Sequence, residues 1–116
     1  MSRASEDYLY DIRDRIRRIL DHTKSFSDCA DLEKDEWALD AVIRNLEIIG
    51  EAAKKLPDEL CIRYPEVPWR EMKALRDWLA HQYFQVSVPI VWDIVRNELP
   101  GTLTVIGRII DEVTGG

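Results

Sequence analysis

The sequence predicts an all-α protein, an up-and-down bundle of five to six helices. Apolar residues recur at alternating three- and four-residue spacing along most of the chain, and no segment alternates apolar and polar residues as a strand does. Prolines fall where the helical patterns stop. With 116 residues, 46% of them hydrophobic and 33% charged, the chain has the composition of an ordinary globular protein. We therefore expect a single domain over residues 1–116.

Two long helices are predicted in the N-terminal half. The first runs from Asp7 to about Lys24. Its apolar stripe consists of Leu9, Ile12, Ile16 and Ile19. After a polar loop over residues 25–31, the second helix is predicted from about Leu32 to Leu56, where Pro57 ends it. Gly50 inside this helix costs about 1 kcal/mol relative to alanine, which predicts a close helix crossing at that point.

Shorter helices follow. One is predicted from Glu59 to about Tyr64, with Asp58 as its N-terminal cap. Another begins near Trp69, directly after Pro68, and the chain is expected to leave it over residues 82–86.

Two further helices are predicted at the C-terminus. Ser87 is expected to cap the first. The expected buried face of that helix is Ile90, Val91, Ile94 and Val95. Pro100-Gly101 is predicted to break or kink the chain before a last amphipathic helix. The apolar residues of that last helix are Leu103, Ile106, Ile109, Ile110 and Val113.

The overall charge argues against a general nucleic-acid coat, because such proteins are usually basic and this chain carries a net charge of −6. A local basic pocket on an acidic body remains compatible with that charge. The first helix carries a basic cluster: Arg13, Arg15, Arg17 and Arg18. It is either a nucleic-acid contact or a solvated, salt-bridged face. The i,i+4 pairs Asp11/Arg15 and Asp14/Arg18 favour the solvated face.

Other expectations come from features that the sequence lacks. No apolar run approaches the roughly 20 residues that span a bilayer, and the N-terminus has no apolar signal segment. A cytoplasmic protein with no membrane contact is therefore expected. Cys29 and Cys61 have no CxxC or Cys/His context, which favours reduced thiols over a disulfide or zinc site. No metal site and no cofactor are predicted.

Residues 76–83, Arg-Asp-Trp-Leu-Ala-His-Gln-Tyr, are the stretch best suited to chemistry. They combine a guanidinium, an imidazole and a phenol where a helical pattern stops. An unperturbed histidine is both a useful acid and a useful base near neutral pH. The chain has two histidines, His81 and His22. We interpret His22 as structural, because it lies in the last turn of the first helix, where an imidazolium suits the helix dipole.

This stretch resembles the signature of HEPN-type ribonucleases, an arginine followed after four to six residues by a histidine. It is more narrowly similar to the HepT toxins, which continue as His-x-Tyr; here these residues are Arg76, His81 and Tyr83. The segments that also resemble the family are Ala41–Ala53, Val67–Arg70, Leu75–Phe84, and Val91-Trp92 followed by Leu99-Pro100. A lone Arg-x4-His match is unspecific, whereas these segments in order cover almost the whole chain.

The resemblance implies a HEPN-like bundle that forms a homodimer and brings the motifs of both protomers into one cleft. HepT proteins are metal-independent endoribonucleases and the toxins of toxin–antitoxin systems of the type II or type VII kind. Their antitoxin is a small MntA-like nucleotidyltransferase, which can attach AMP to the motif tyrosine, here Tyr83. Some relatives act on transfer RNA and others on messenger RNA, so the RNA substrate stays open.

The sequence departs from the family at one position of the motif. The residue after the arginine is often asparagine in relatives, whereas here it is Asp77. A carboxylate at this position can orient His81 or Arg76, but it also repels a phosphate. We therefore expect Asp77 to be a supporting polar residue. Its negative charge next to a phosphate-binding arginine needs an explanation.

Cleavage of RNA without a metal needs a base for the ribose 2′-hydroxyl, an acid for the leaving 5′-oxygen and positive charge on the phosphorane between them. His81 can act as acid or base, and Arg76 offers a fork of donors matched to phosphate oxygens. On an ideal helix, however, side chains five residues apart point about 140° away from each other. Either the helix ends before His81, or a second copy of the chain completes the site.

Plainer interpretations of the same residues stay open. Arg76 could simply pair with Asp77 or Glu71. Arg70 and Lys73 could extend the phosphate path or be ordinary solvated surface. The four tryptophans are more readily core or dimer contacts than platforms for nucleobases; they are Trp37, Trp69, Trp78 and Trp92. The alternative function is a non-catalytic helical dimer that binds or presents substrate to a partner nucleotidyltransferase.

Overall fold

The computed structural model describes residues 2–81 and 86–115, and within these ranges every regular element is helical. The helices are α1 (Arg3–Thr23), α2 (Cys29–Lys34), α3 (Glu36–Lys54), α4 (Asp58–Arg63), α5 (Trp69–His81), α6 (Val88–Asp93) and α7 (Leu99–Thr114). A π-helical turn, Ile94–Glu98, joins α6 to α7. Counted with this turn as one continuous run, the described residues form six helices, which confirms the predicted all-α class.

The four long helices make the bundle. α1 packs against α3 and α7, and α3 also packs against α5. The apolar stripe predicted for α1 is buried along its whole length, from Leu9 to Ile19. Burying an aliphatic side chain of this size contributes roughly 1.5–3 kcal/mol, so these contacts hold α1 in the centre of the bundle. Among the described helices, none is both long and apolar enough to cross a membrane.

The prediction of one long helix from Leu32 to Leu56 is wrong in one respect, because the helix is interrupted at Asp35. The backbone of Asp35 leaves the helical region, with φ −99° and ψ 88°. Its carboxylate then accepts a hydrogen bond from the Ala38 amide at 3.0 Å and so caps α3. The apolar spacing continues across the break, which is why periodicity alone missed it. The preceding loop is also shorter than predicted, since α2 begins at Cys29.

Two of the predicted caps also differ in the structure. Asp58 is the first residue of α4 rather than its cap, and the cap position is taken by Pro57, which makes no side-chain hydrogen bond there. A carboxylate in the first turn still interacts favourably with the helix dipole. Ser87 does occupy the cap position of α6, but its side chain makes no capping hydrogen bond.

Pro100 does not break the last helical run. It lies in the first turn of α7, directly after the π turn. The Leu99 amide bonds to the Ile94 carbonyl, five residues back, so the backbone widens just before the proline ring. Proline lacks an amide hydrogen and crowds the preceding turn of a regular helix. The π turn therefore accommodates the irregularity that the sequence assigned to a break or a kink.

Several side chains lie elsewhere than the sequence predicted. Trp69 is buried, as expected of a core residue, whereas Trp37 is 88% exposed and lies outside the core, so for Trp37 a dimer contact stays the prediction. Ile90 was predicted on a buried face and is 51% exposed. Trp92 is half-buried and stacks against the Arg96 guanidinium, 4.4 Å from the ring centre. Cys29 and Cys61 are both free, as predicted.

The basic face of α1 forms different pairs from those predicted. Asp14 pairs with Arg13 at 3.0 Å rather than with Arg18. Arg15 donates a hydrogen bond to the Asn45 side chain on α3, at 3.2 Å, and not to Asp11. The cluster is therefore used in part to join α1 to α3.

The helix crossing predicted at Gly50 is confirmed. A β-carbon added at this position would lie 2.7 Å from the Met72 carbonyl oxygen and closer still to the β-carbon of Arg76. Both neighbours are on α5, so the absence of a side chain at Gly50 lets α3 and α5 approach each other. This crossing places the C-terminal part of α3 against the middle of α5, where Arg76 lies.

We expect Gly50→Ala to lower the free energy of unfolding by about 1–3 kcal/mol, because overpacking outweighs the higher helix propensity of alanine. Gly107→Ala is the matched control. Gly107 also lies within a helix, but a β-carbon there meets no atom within 4 Å, so this change should stabilise the protein by about 0.5–1 kcal/mol. Urea unfolding followed by circular dichroism measures both. Equal stability of the two variants would contradict the close crossing.

Candidate active site

The motif lies at the C-terminal end of α5. Arg76, Asp77 and His81 all belong to this helix, which runs without interruption to His81. Asp77 and His81 are exposed, and one third of the Arg76 side chain is accessible. The predicted modification site, Tyr83, lies outside the described residues. The structure therefore places three of the four principal motif residues on one continuous helix.

The Arg76 guanidinium is held by two carboxylates. Its Nε lies 2.7 Å from Oε2 of Glu51 on α3, and its Nη1 lies 3.2 Å from Oδ1 of Asp77. The pairing with Asp77 was one of the alternatives that the sequence left open, whereas the second partner is Glu51 and not Glu71. Both contacts are ion pairs, and the one with Asp77 is also a hydrogen bond that uses one of the five N–H donors of the guanidinium.

Asp77 has a second partner in Lys54, the last residue of α3. The Lys54 ammonium donates to the same oxygen, Oδ1, that accepts from Arg76. The Lys54 ammonium and, less strongly, the Arg76 guanidinium hold the pKa of the Asp77 carboxyl below its ordinary value. Asp77 therefore stays ionised, and its negative charge is met by two cations.

These four residues form an alternating charge network, defined here as Glu51, Arg76, Asp77 and Lys54. Glu51 and Lys54 belong to α3, and Arg76 and Asp77 belong to α5, the two helices that cross at Gly50. The two positive and two negative charges cancel. Sequence reasoning missed Glu51 and Lys54 as members of the site. Their signal was a glutamate and a lysine at i,i+3 spacing directly after the unusual helical glycine.

Arg76 also lines a groove that is open to solvent. The groove has a volume of about 350 Å³ and lies between α1 and α3. Tyr8 forms part of one wall, and Arg44 of α3 and Lys55, the residue directly after α3, lie along the other. A ligand can therefore reach the guanidinium from solvent without moving a helix.

Arg76 and His81 point in different directions within one chain. Because α5 continues through His81, the angle of about 140° expected for an ideal helix applies to this pair. The alternative in which the helix ends before His81 is therefore wrong. The other alternative, a site completed by a second copy, stays a prediction.

The two basic residues predicted along the phosphate path, both on α5, differ in their exposure. Arg70 is exposed, and eleven residues of ideal helix bring it to within about 20° of the His81 direction. Lys73 is half-buried beside α4. Burial there raises the pKa of the Cys61 thiol, and the charge of Lys73 partly offsets the rise. Of the pair, Arg70 is thus the one that shares the exposed face of His81.

No group of three or more histidine, cysteine, aspartate or glutamate side chains suited to a metal occurs in the ranges that the structure covers.

An all-α bundle with Arg-x4-His on one of its helices is typical of one class of protein, the HEPN-type ribonucleases. Comparison with known proteins gives the family. The model of the family described as "Ribonuclease HepT-like" matches residues 12–109. The chain therefore belongs to the HepT-like ribonuclease family, and the predictions of a HEPN-like fold and of a ribonuclease are confirmed.

Two relatives illustrate how far the similarity extends. A Methanocaldococcus jannaschii protein named "Putative RNase MJ0127" is 43% identical, over 93% of this chain and 88% of its own. A Thermococcus cleftensis protein named "Probable ribonuclease HepT" is also 43% identical, over 86% of this chain and 90% of its own. No solved structure matches the chain.

We expect the carboxyl group of Asp77 to titrate below its ordinary pKa, and Lys54→Ala to raise that pKa, because the lysine is the largest cause of the depression. A depressed folded-state pKa means that the stabilisation is fully present above the unfolded-state pKa, about 3.9 for aspartate, and is lost as the pH falls through the folded value. Carbonyl-detected NMR of the Asp77 side chain measures its pKa in the unsubstituted protein and in Lys54→Ala. An unchanged pKa in Lys54→Ala would contradict the pairing.

Proposed function

We propose that this protein is a metal-independent endoribonuclease whose site is built from Arg76 and His81 of two copies of the chain. The observation that supports this most directly is the continuity of α5 through His81. One copy presents its guanidinium at the groove and its imidazole on another side of the helix. Two copies related by a two-fold axis supply two imidazoles and two guanidinium groups to a shared cleft.

Each group has a defined role in the proposed reaction. One His81 takes the proton from a ribose 2′-hydroxyl, and the 2′-oxygen forms a bond to the adjacent phosphorus. The bond from phosphorus to the 5′-oxygen breaks, and the second, protonated His81 gives its proton to that oxygen. Arg76 binds the non-bridging oxygens, where negative charge grows in the phosphorane. Two separate histidines answer the need for an acid and a base in one step.

The proposed biological role is that of a toxin in a toxin–antitoxin pair. The family resemblance supports a partner antitoxin of the nucleotidyltransferase class, which would transfer AMP from ATP to the hydroxyl of Tyr83 and release pyrophosphate. Tyr83 follows His81 by two residues, so a bulky, negatively charged nucleotide attached there would stand next to the proposed acid and base. Attachment would block access of RNA and repel its phosphates.

We expect His81→Ala and Arg76→Ala each to abolish RNA cleavage, because neither variant retains a complete set of acid, base and phosphate ligand. Cleavage of labelled RNA by purified protein, with and without EDTA, measures this. Circular dichroism and light scattering should show the same helical content and the same association state as the unsubstituted protein.

EDTA-resistant cleavage that persists in His81→Ala would contradict the proposed mechanism. Binding of a nucleotidyltransferase by an unmodified protein that leaves RNA intact would instead support the non-catalytic alternative.

We expect co-expression with a cognate nucleotidyltransferase to raise the intact mass of the protein by whole AMP units. Tyr83→Phe should lose the increase, because it removes the acceptor hydroxyl and nothing else. Intact-protein mass spectrometry measures this, and Tyr8→Phe, a tyrosine on the wall of the groove, is the matched control. An unshifted mass together with full neutralisation of the toxin would contradict modification and favour steric blocking.

A further inference from the structure

The charge network contains two residues to which the proposed reaction gives no part, Glu51 and Lys54 of α3. They contact Arg76 and Asp77, respectively, across the helix crossing. We propose that both are positioning residues for the phosphate site: Glu51 fixes the Arg76 guanidinium, and Lys54 cancels the negative charge of Asp77. These roles rest on the proposed function, because they require Arg76 to bind the reacting phosphate.

Glu51 determines which side of the guanidinium remains for a phosphate. Its carboxylate lies 2.7 Å from Nε of Arg76 as an ion pair, and Asp77 accepts a hydrogen bond from one N–H of Nη1. Apart from Nε–H and the hydrogen that Asp77 accepts, the guanidinium has three N–H groups, one on Nη1 and two on Nη2. They are arranged to donate to two oxygens of one phosphate.

Glu51 also lowers the entropic cost of RNA binding, because it orders the Arg76 side chain before RNA binds. The stem of Arg76 lies against the backbone at Gly50, which fixes its base. The ion pair with Glu51 fixes its far end. An arginine that is ordered before RNA binds loses less rotamer entropy during binding and catalysis.

Lys54 offsets the negative charge that Asp77 places beside Arg76. Asp77 accepts from Arg76 at 3.2 Å, so a phosphate bound to Arg76 would lie close to a carboxylate. With Lys54 in place, the charges of the network cancel. Without Lys54, the network carries one excess negative charge at the place where a phosphate has to bind, and the resulting repulsion acts at short range in a partly exposed site.

The first test uses steady-state kinetics of RNA cleavage with substitutions of Glu51. Glu51→Ala should lower kcat by about a hundredfold, because a catalytic group displaced by about 1 Å loses roughly that factor. Glu51→Gln keeps the length of the side chain and an oxygen beside Nε of Arg76, so its loss in kcat should be clearly smaller. A normal kcat in Glu51→Ala, or equal losses in both variants, would overturn the role of Glu51.

The second test removes Lys54 and then the charge that it cancels. Lys54→Ala should lower kcat/KM about fivefold to tenfold, mainly through a higher KM, because the unscreened carboxylate of Asp77 repels RNA. Adding Asp77→Asn to Lys54→Ala should restore most of the loss, because it removes the repelling charge. Lys24→Ala, which breaks a lysine–aspartate pair with Asp21 at the end of α1, is the matched control and should cleave normally.

The restored activity separates a positioning role from a structural one. If Lys54 only joined α3 to α5, removing the second partner of the pair could not bring activity back. A Lys54→Ala variant with unchanged kinetics, or a double variant that stays impaired, would overturn the role of Lys54.

These failures differ from a failure of the proposed function. Cleavage that survives in both His81→Ala and Arg76→Ala refutes the proposed site itself. Cleavage that is lost in those two variants but unaffected in Lys54→Ala and Glu51→Ala refutes only the positioning roles.

Discussion

The close approach of α3 and α5 at Gly50 is the constraint on which the site depends. A helical glycine costs about 1 kcal/mol relative to alanine, yet a side chain here would overlap the Met72 carbonyl and the stem of Arg76. The close contact brings the end of α3 within reach of the motif on α5. Without it, Glu51 could not contact Arg76, and Lys54 could not contact Asp77.

The charge network is better understood as a device for orientation than as a source of stability. Its side chains are between one third and about one half exposed, and pairs of this kind contribute about 0–1 kcal/mol because water screens them. The apolar contacts of α1, α3, α5 and α7 hold the bundle together. On a chain with a net charge of −6, local cancellation of charge around Arg76 matters more for an anionic ligand than for folding.

The continuity of α5 determines the relative direction of the Arg76 and His81 side chains. A spacing of five residues on a regular helix separates two side chains by about 140°, so the arginine and the histidine of one copy cannot face the same phosphate. This is the geometric basis for proposing a site made by two chains. It also makes the direction of α5, set by its packing on α3, a determinant of how such a site would be built.

The sequence by itself determined the helical class, the stripe of α1 and the motif on α5, because apolar spacing and local residue order are carried along the chain. It also marked Gly50 as a crossing, since a glycine inside a helix needs a reason. The tertiary structure decided the break at Asp35 and the partners of Arg76 and Asp77. These features depend on which helices pack against each other and on which residues lie opposite at the crossing. Neither apolar periodicity nor helix propensity specifies such contacts between distant parts of the chain. Asp77, which the sequence could only treat as a charge to be explained, gains its explanation from Lys54.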